Sequence, residues 1–270
     1  MREEFFDIGG QTYRIKRKGE GRPLIALHGF AQSAETWDEL EIQGFEIIAC
    51  DLLGHGKSSK PQTLAPYRLS EILSVLQTLM SKLTQGRDYV LMGYSLGGRL
   101  ALQYALNYPE EPLSALIVES ASPGISNPQE RAERQRSDLE LAQKIISNGA
   151  EWFADFWGRL PLFTSQQKLP EAVQARIRKA RAANSPHALA LTLEGTGQGQ
   201  LEYIGDRLSE ISSPLLYIGG EYDLKYQQIA KRYFQPLKNS QLAIVPQAGH
   251  NAHVERLEEF RMILVNFLAV

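Results

Sequence analysis

Three residues whose types suit nucleophilic or acid–base catalysis lie far apart in this 270-residue chain: Ser95, Asp223 and His250. A serine hydroxyl is a poor nucleophile or base until an imidazole shares its proton. The imidazole in turn needs a carboxylate that fixes its tautomer and stabilises its charge. We therefore predict a proton relay in which Asp223 orients His250 and His250 activates Ser95.

The segment around Ser95 is predicted to be a sharp strand-to-helix turn. The sequence Gly93-Tyr94-Ser95-Leu96-Gly97 follows the apolar run 89–92 and precedes the helix-compatible run 99–106. Such a turn leaves its central residue strained and exposed, and the glycines let strand and helix approach each other without Cβ clashes. The Ser95 hydroxyl should therefore stand clear of the sheet.

Two backbone N–H groups could stabilise negative charge near Ser95. The N–H of Leu96 opens the predicted helix, where amides lack intrahelical acceptors. The N–H of Phe30 follows His28 and Gly29 at the end of the predicted strand 23–27. Phe30 and Leu96 are therefore predicted to form an oxyanion hole. His28 itself is interpreted as a packed, hydrogen-bonded structural histidine rather than a catalytic one.

The acid and the base of the relay each have an alternative. Asp223 follows the predicted strand 213–220, whereas Glu119 ends the predicted strand 113–119. Glu119 stays the second choice because open α/β sheets bind ligands at the carboxyl ends of their strands. His253 is the rival base, but it falls on or at the start of the closing helix, so His250 in the preceding loop is preferred.

Strands and helices alternate along most of the chain, which predicts an α/β fold with a mostly parallel sheet of about eight strands and helices on both faces. Gly9 and Gly10 predict a hairpin of two antiparallel strands, 5–8 and 12–16, at one edge. The other predicted elements are strands at 23–27, 45–50, 89–92, 113–119, 213–220 and 242–245, and helices at 68–83, 99–106 and 254–268.

Residues 123–203 depart from this alternation. Their composition predicts helices at 130–146, 150–157 and 171–183, with no convincing strand between them. We predict a helical lid inserted into a core made of residues 1–122 and 204–270. The insertion carries an aromatic cluster, Trp152, Phe153, Phe156 and Trp157, followed by 161–163 (Pro-Leu-Phe). Because the insertion emerges beside the predicted site, one face of this cluster should reach a pocket and the other should pack as core.

Composition excludes several classes of function. Lys and Arg number 29 against 31 Asp and Glu, a net charge of −2, so no global field recruits nucleic acid or an anionic membrane. No apolar run approaches the roughly 20 residues of a membrane span. The single cysteine, Cys50, and an N-terminus without signal-peptide character predict a cytoplasmic protein. No Cys and His cluster has metal-ligand spacing, and neither a metal nor a cofactor is predicted.

The motifs around these residues resemble the α/β-hydrolase superfamily over nearly the whole chain. Within it, the sequence is most similar to the 2-succinyl-6-hydroxy-2,4-cyclohexadiene-1-carboxylate synthases of menaquinone and phylloquinone biosynthesis. The motifs that carry the resemblance are 28–30 (His-Gly-Phe), 93–99 (Gly-Tyr-Ser-Leu-Gly-Gly-Arg), 122–124, 130–134, 161–163, 221–223 and 248–253 (Ala-Gly-His-Asn-Ala-His).

The resemblance implies a lyase that eliminates pyruvate from a cyclohexene precursor with three carboxylates. It also implies five substrate-binding residues: Arg99, Arg134, Arg181, Tyr94 and Trp157. Arginine suits this task because its fork binds a carboxylate in bidentate fashion. Phe156 is the alternative to Trp157 where the lid spacing shifts. The implied partner is this small-molecule substrate.

Two other functions remain compatible with the sequence. One is a serine hydrolase, either an esterase or a C–C bond hydrolase, that uses the same three residues with water. The other is a non-catalytic receptor with a hydrolase fold, which would not need an activated serine. The sequence predicts neither an oligomeric state nor which of the two quinones the pathway makes.

Overall fold

The chain begins with a hairpin at the edge of a sheet. In the computed structural model, which describes residues 1–269, β1 (Arg2–Ile8) pairs antiparallel with β2 (Gln11–Gly19). Gly9 and Gly10 connect them with φ angles of 57° and 74°, a conformation that other residues rarely adopt. The predicted edge hairpin is therefore confirmed.

The sheet has eight strands in the order β1-β2-β4-β3-β5-β6-β7-β8. Its first two neighbour pairs are antiparallel and the remaining pairs are parallel. The predicted fold class is confirmed. The remaining strands are β3 (Arg22–Leu27), β4 (Phe45–Cys50), β5 (Tyr89–Tyr94), β6 (Leu113–Glu119), β7 (Leu215–Gly220) and β8 (Ser240–Val245).

Helices cover both faces of the sheet, because its strands are apolar on both sides. One face packs against α1 (Leu69–Thr84) and α2 (Leu96–Asn107). The other packs against Trp37 and the last helix, α8 (Leu257–Leu268). Between β7 and β8 the chain forms α6 (Leu224–Ile229), and α7 (Ala252–Glu255) precedes α8.

The closing helix differs from its prediction. A continuous helix over 254–268 was expected, but α7 and α8 are separated at Arg256, whose φ of −148° is not helical. The break lets the short α7 turn back toward the sheet, and His253 lies within it. Within residues 1–269, no helix is long and apolar enough to cross a membrane.

The segment between β6 and β7 is helical, as predicted. It contains α3 (Pro128–Gly158), a 3-10 segment at Pro161–Lys168, α4 (Glu171–Ala182) and α5 (Pro186–Thr196). Gly149, with φ 82°, interrupts α3 between the two helices that the sequence predicts there. The sequence analysis missed α5, although Ser185 and Pro186 form a helix-start signal. That this segment moves as a lid stays a prediction.

Candidate active site

Ser95 lies in a strained turn between β5 and α2. Its φ and ψ are 49° and −103°, a conformation that is costly for a residue with a side chain. The surroundings impose it: the Ser95 N–H donates to the Glu119 carbonyl at 2.9 Å, and the Arg99 N–H donates to the Ser95 carbonyl at 3.0 Å. A Cβ atom on Gly97 would overlap the Leu27 carbonyl, so only glycine permits this close approach.

The structure brings the three predicted residues of the relay together. His250 Nδ1 donates to Asp223 Oδ2 at 2.7 Å, and Ser95 Oγ lies 3.2 Å from His250 Nε2. Asp223 and His250 are both buried. Each residue follows the carboxyl end of a parallel strand, β5, β7 or β8, which explains how positions so far apart in sequence meet at one edge.

Both rival residues have partners elsewhere. Glu119 accepts hydrogen bonds from the His253 backbone N–H at 3.1 Å and from His253 Nδ1 at 2.6 Å. The Nε2 atom of His253 lies 2.7 Å from the Thr36 hydroxyl. Glu119 and His253 thus form a second carboxylate–histidine pair, and the acid that contacts His250 is Asp223.

The predicted oxyanion-hole residues, Phe30 and Leu96, line the same cavity as Ser95. Over residues 1–269, neither of their N–H groups donates a hydrogen bond. The two turns are tied together, since the Gly97 N–H donates to the His28 carbonyl at 3.2 Å. Two residues of this cavity wall therefore have backbone N–H groups without an acceptor among the described residues, and their role as an oxyanion hole stays a prediction.

His28 is packed inside the protein, as the sequence analysis interpreted it. Its Nε2 accepts from the Leu52 N–H at 3.0 Å, and its Nδ1 donates to the Gly29 carbonyl at 2.7 Å. Burial lowers the pKa of His28. A neutral imidazole with both nitrogens bonded to the backbone braces the turn that carries Phe30.

Ser95 and His250 open into a cavity of about 780 Å³ between the sheet edge and the helical segment. This volume is within the range of small-molecule sites. Both aromatic candidates, Trp157 and Phe156, line this cavity. The Trp157 ring meets the Phe30 ring edge-on with 5.5 Å between ring centroids, and the exposed Phe156 ring stacks on Trp152 with 5.0 Å between centroids. The apolar part of the wall also includes Leu96, Leu160, Pro161, Leu162, Tyr222 and Leu224.

Arg99 lines this cavity from α2, one turn after Ser95. Its side chain is largely buried, and its Nε has no hydrogen-bond partner. In the described part of the chain no carboxylate lies within ion-pair distance of it. Burial, with the charge of Arg134 adding to it, lowers the pKa of Arg99 to about 10. A buried cation without a counter-ion is a strong site for an anionic ligand group.

Arg134 also lines the cavity, from α3. It differs from Arg99 because it already has partners: Nε donates to Asp138 at 2.8 Å and a terminal nitrogen donates to Gln198 at 2.7 Å. Both arginines thus reach one cavity, and of the two only Arg99 has no protein acceptor in the range 1–269.

Arg181 does not line this cavity, and its implied role in substrate binding stays a prediction. Its guanidinium lies over the Phe163 ring, 4.6 Å from the centroid, and donates to Gln166 Oε1 at 2.9 Å. The Phe163 ring in turn meets the His250 ring edge-on at 5.9 Å. Arg181 therefore lies behind Phe163, where burial lowers its pKa to about 10.

Tyr94 is also outside the cavity wall, contrary to its predicted role there. Its buried ring lies 5.4 Å from the His250 ring and 5.0 Å from the His253 ring. A Cβ atom on Gly29 would be only 2.5 Å from the Tyr94 ring. The side chain packs beneath the two histidines because the strained turn at Ser95 directs it away from the opening.

The sequence analysis missed a further cation at the cavity, Lys225. It lies at the exposed rim on α6, two residues after Asp223. Partial desolvation, followed by the charge of Arg134, lowers its pKa. The position of Lys225 two residues after Asp223 could have indicated that it lies at the site. Lys144 on α3 is another cation in the wall.

The family model of the α/β hydrolase fold matches residues 22–257. A 2-succinyl-6-hydroxy-2,4-cyclohexadiene-1-carboxylate synthase of Photorhabdus laumondii is 32% identical over 251 residues, which cover 92% of this chain and 85% of the relative. A Bacillus subtilis protein with the same name, given provisionally, is 37% identical over 96% of this chain and 95% of its own length. The chain belongs to the 2-succinyl-6-hydroxy-2,4-cyclohexadiene-1-carboxylate synthase family.

Solved structures agree with this family. The structure of MenH from S. aureus is 36% identical, with a TM-score of 0.88 over 94% of this chain and 97% of that one. A thermophilic esterase from Thermogutta terrifontis has a TM-score of 0.81 at 22% identity over 100% of this chain and 98% of that one, a likeness of fold alone. The esterase and this chain thus share a fold. That its reaction needs no cofactor stays a prediction.

Proposed function

We propose that this protein is the lyase that converts 2-succinyl-5-enolpyruvyl-6-hydroxy-3-cyclohexene-1-carboxylate into 2-succinyl-6-hydroxy-2,4-cyclohexadiene-1-carboxylate and pyruvate. One observation carries the proposal. The Ser95–His250–Asp223 relay opens into a cavity in which Arg99 is buried without an anionic partner. A neutral ester would leave this charge unpaired, whereas a tricarboxylate would pair it.

Different cations of the cavity bind different carboxylates of the substrate. Arg99 binds one carboxylate close to Ser95, and Arg134 with the rim residue Lys225 binds a second. Charge-assisted hydrogen bonds of this kind are roughly twice as strong as neutral ones. Trp157 and Phe30 then enclose the ring from the apolar side. Arg181 joins the substrate only if Phe163 moves, since that ring separates it from the site.

The chemical step is a proton abstraction followed by elimination. Ser95 Oγ removes the ring proton next to the succinyl ketone, while its own proton moves to His250 Nε2. The C–H electron pair forms an enolate, whose oxygen lies against the N–H groups of Phe30 and Leu96. When the enolate collapses, a ring double bond forms and the C–O bond to the enolpyruvyl group breaks. The leaving group takes up a proton and is released as pyruvate.

The three-residue relay supplies basicity rather than a covalent bond in this mechanism. Asp223 stabilises the imidazolium that forms on His250. No acyl-enzyme is formed, because the substrate carbon is deprotonated and no carbonyl is attacked. A metal or organic cofactor has no role in these steps. A cytoplasmic location fits the single buried thiol, Cys50.

Pyruvate release from the cyclohexene precursor tests the proposal directly. We expect turnover by the wild type, none above background by the Ser95→Ala variant, and no mass increase on Ser95 during turnover. A covalent adduct on Ser95, with a neutral p-nitrophenyl ester hydrolysed far faster than the tricarboxylate, would instead identify a hydrolase. Failure of Ser95 to react with a fluorophosphonate would leave a non-catalytic receptor.

A further inference from the structure

We propose that Glu255 is a positioning residue for the catalytic step: its buried carboxylate fixes the loop that carries His250. The inference rests on the proposed role of His250, but the contacts that carry it are separate from those of Asp223. Glu255 lies on α7, five residues after the histidine that it positions.

The carboxylate of Glu255 bonds to the backbone on both sides of His250. Its Oε2 accepts from the Gly249 N–H at 2.7 Å, and its Oε1 lies 3.4 Å from the Asn251 N–H. The Glu255 N–H also donates to the Asn251 carbonyl at 3.0 Å. One side chain therefore holds the peptide unit that directly follows His250 and the unit one residue before it, 248–249.

Burial of the Glu255 carboxylate is unfavourable for the free energy of folding. Its residue exposure is only 8%, and no cation in residues 1–269 forms an ion pair with it. Burial raises the pKa of Glu255, and the hydrogen bonds from the Gly249 and Asn251 N–H groups oppose that rise. Since an unpaired buried carboxylate costs folding free energy, its two bonds beside His250 give it a function that an apolar side chain would not supply.

Asp223 holds the His250 side chain, and other hydrogen bonds hold the loop backbone on either side of it. On the amino-terminal side, the Gln247 N–H donates to the Glu221 carboxylate at 2.7 Å, and the Ala248 carbonyl accepts from the Tyr222 N–H at 2.8 Å. On the other side the Glu119–His253 pair anchors α7. Glu255 supplies the contacts between these anchors, at positions 249 and 251.

The helical segment packs against the same point from outside. A Cβ atom on Gly249 would overlap Ser165 Oγ and lie 3.2 Å from Glu255 Oε2. The Phe163 ring meets the His250 ring from the same segment. Glu255 therefore holds the loop from within, while the segment 161–168 confines it from the cavity side.

The test compares Glu255→Gln and Glu255→Ala with the control Glu258→Gln. Glu258 is an exposed neighbour that pairs with Arg261. Gln keeps one acceptor for one of the two N–H groups, so we expect kcat to fall about 10-fold, and about 100-fold or more in the Ala variant, since a misplacement of about 1 Å can cost that much. KM should change less than about 2-fold because no cavity cation is touched, and Glu258→Gln should match the wild type.

The rate at which a fluorophosphonate labels Ser95 separates positioning from mere folding. We expect the fraction of reactive Ser95 to stay near one in Glu255→Gln while its labelling rate constant falls with kcat. A smaller reactive fraction with an unchanged rate constant per reactive serine would overturn the proposal, and so would a wild-type kcat. Labelling needs no natural substrate, so it also separates the two proposals. If the wild type releases no pyruvate but the labelling of Ser95 is still slower in the Glu255 variants, the proposed function is refuted and the role of Glu255 is not.

Discussion

Two carboxylate–histidine pairs lie side by side in this protein, and only one of them faces the large cavity. Asp223–His250 and Glu119–His253 have nearly equal Nδ1–oxygen distances, 2.7 and 2.6 Å, and all four side chains are buried. In each pair Nε2 faces a hydroxyl, that of Ser95 at 3.2 Å or that of Thr36 at 2.7 Å. The pairing of acid, imidazole and hydroxyl alone therefore does not make an active site.

The difference lies in what surrounds the hydroxyl. Ser95 occupies a strained turn beside two free N–H groups and a cavity of about 780 Å³. Thr36 lies in a short 3-10 turn, Ala34–Trp37, with its own N–H bonded to the Ser33 carbonyl, and lines a pocket of only about 120 Å³. His253 is stacked on Trp37 at 4.0 Å. The second pair therefore acts as a structural clamp between α7, β6 and the loop after β3.

The largest expected effect separates the two hydroxyl–histidine contacts. Ser95→Ala and His250→Ala should each lower kcat by about 10⁴-fold or more, because members of such a relay act as a unit. Both variants should keep the wild-type circular dichroism spectrum. Pyruvate release within 10-fold of the wild type in either variant would assign the chemistry elsewhere.

Substitution of Asp223 should chiefly lower activity, whereas substitution of Glu119 should chiefly lower stability. Asp223→Asn should lower kcat by roughly 10²–10⁴-fold with a small change in Tm, because it leaves His250 in the wrong tautomer. Glu119→Gln should chiefly lower stability, by up to about 3–5 kcal/mol, because it breaks a buried pair. Paired kcat and urea-unfolding measurements check this. A greater loss of kcat in the Glu119 variant would reverse the assignment of the acid.

Arg99 is the buried arginine that lines the cavity of the first pair. Arg99→Met should raise KM about 10- to 100-fold, the effect of losing one charged hydrogen-bonded contact. It should also raise Tm by a few degrees, because a buried cation without a partner is replaced by an apolar chain of similar length. The exposed Arg261→Met is the matched control, with neither change expected. A lower Tm and an unchanged KM in Arg99→Met would show that Arg99 stabilises the fold and does not bind the substrate.

The smallest effect concerns the hydroxyl of the clamp. Thr36→Val removes one hydrogen bond to His253 and keeps the side-chain shape, so Tm should fall by about 2–4 °C, which corresponds to about 1 kcal/mol. Its kcat should stay within about 2-fold of the wild type. A larger loss of kcat would mean that the clamp communicates with His250.

Local patterns were sufficient to predict most of the fold and the relay. The two glycines of the hairpin favour its backbone conformation locally, the glycines on either side of Ser95 mark the strand-to-helix turn, and apolar runs mark buried strands directly. The break at Arg256 was missed because the apolar period of the closing helix continues across it. The helix α5 was missed because it has little amphipathic pattern, since it is buried on most sides.

Side-chain directions in the site could be predicted only where backbone geometry fixes them. Arg99 lies one helical turn after Ser95, and this spacing places it correctly. Tyr94 and Arg181 depend on packing across distant segments, around Gly29 for one and Phe163 for the other. The partner of Glu119, His253, lies far away in the sequence, and no spacing indicates the pair. The bonds of Glu255 to Gly249 and Asn251 are short-range, but they depend on how α7 folds back against the loop.

The concentration of positive charge around Arg99 and Arg134 affects how the enzyme empties its site. The proposed elimination divides three negative charges between two molecules, one with two carboxylates and one with a single carboxylate. Each product then engages fewer cations than the intact precursor did, so each dissociates more readily than the substrate. Cleavage therefore weakens the binding of both products, and no separate conformational step is needed to release them from the cations of the cavity.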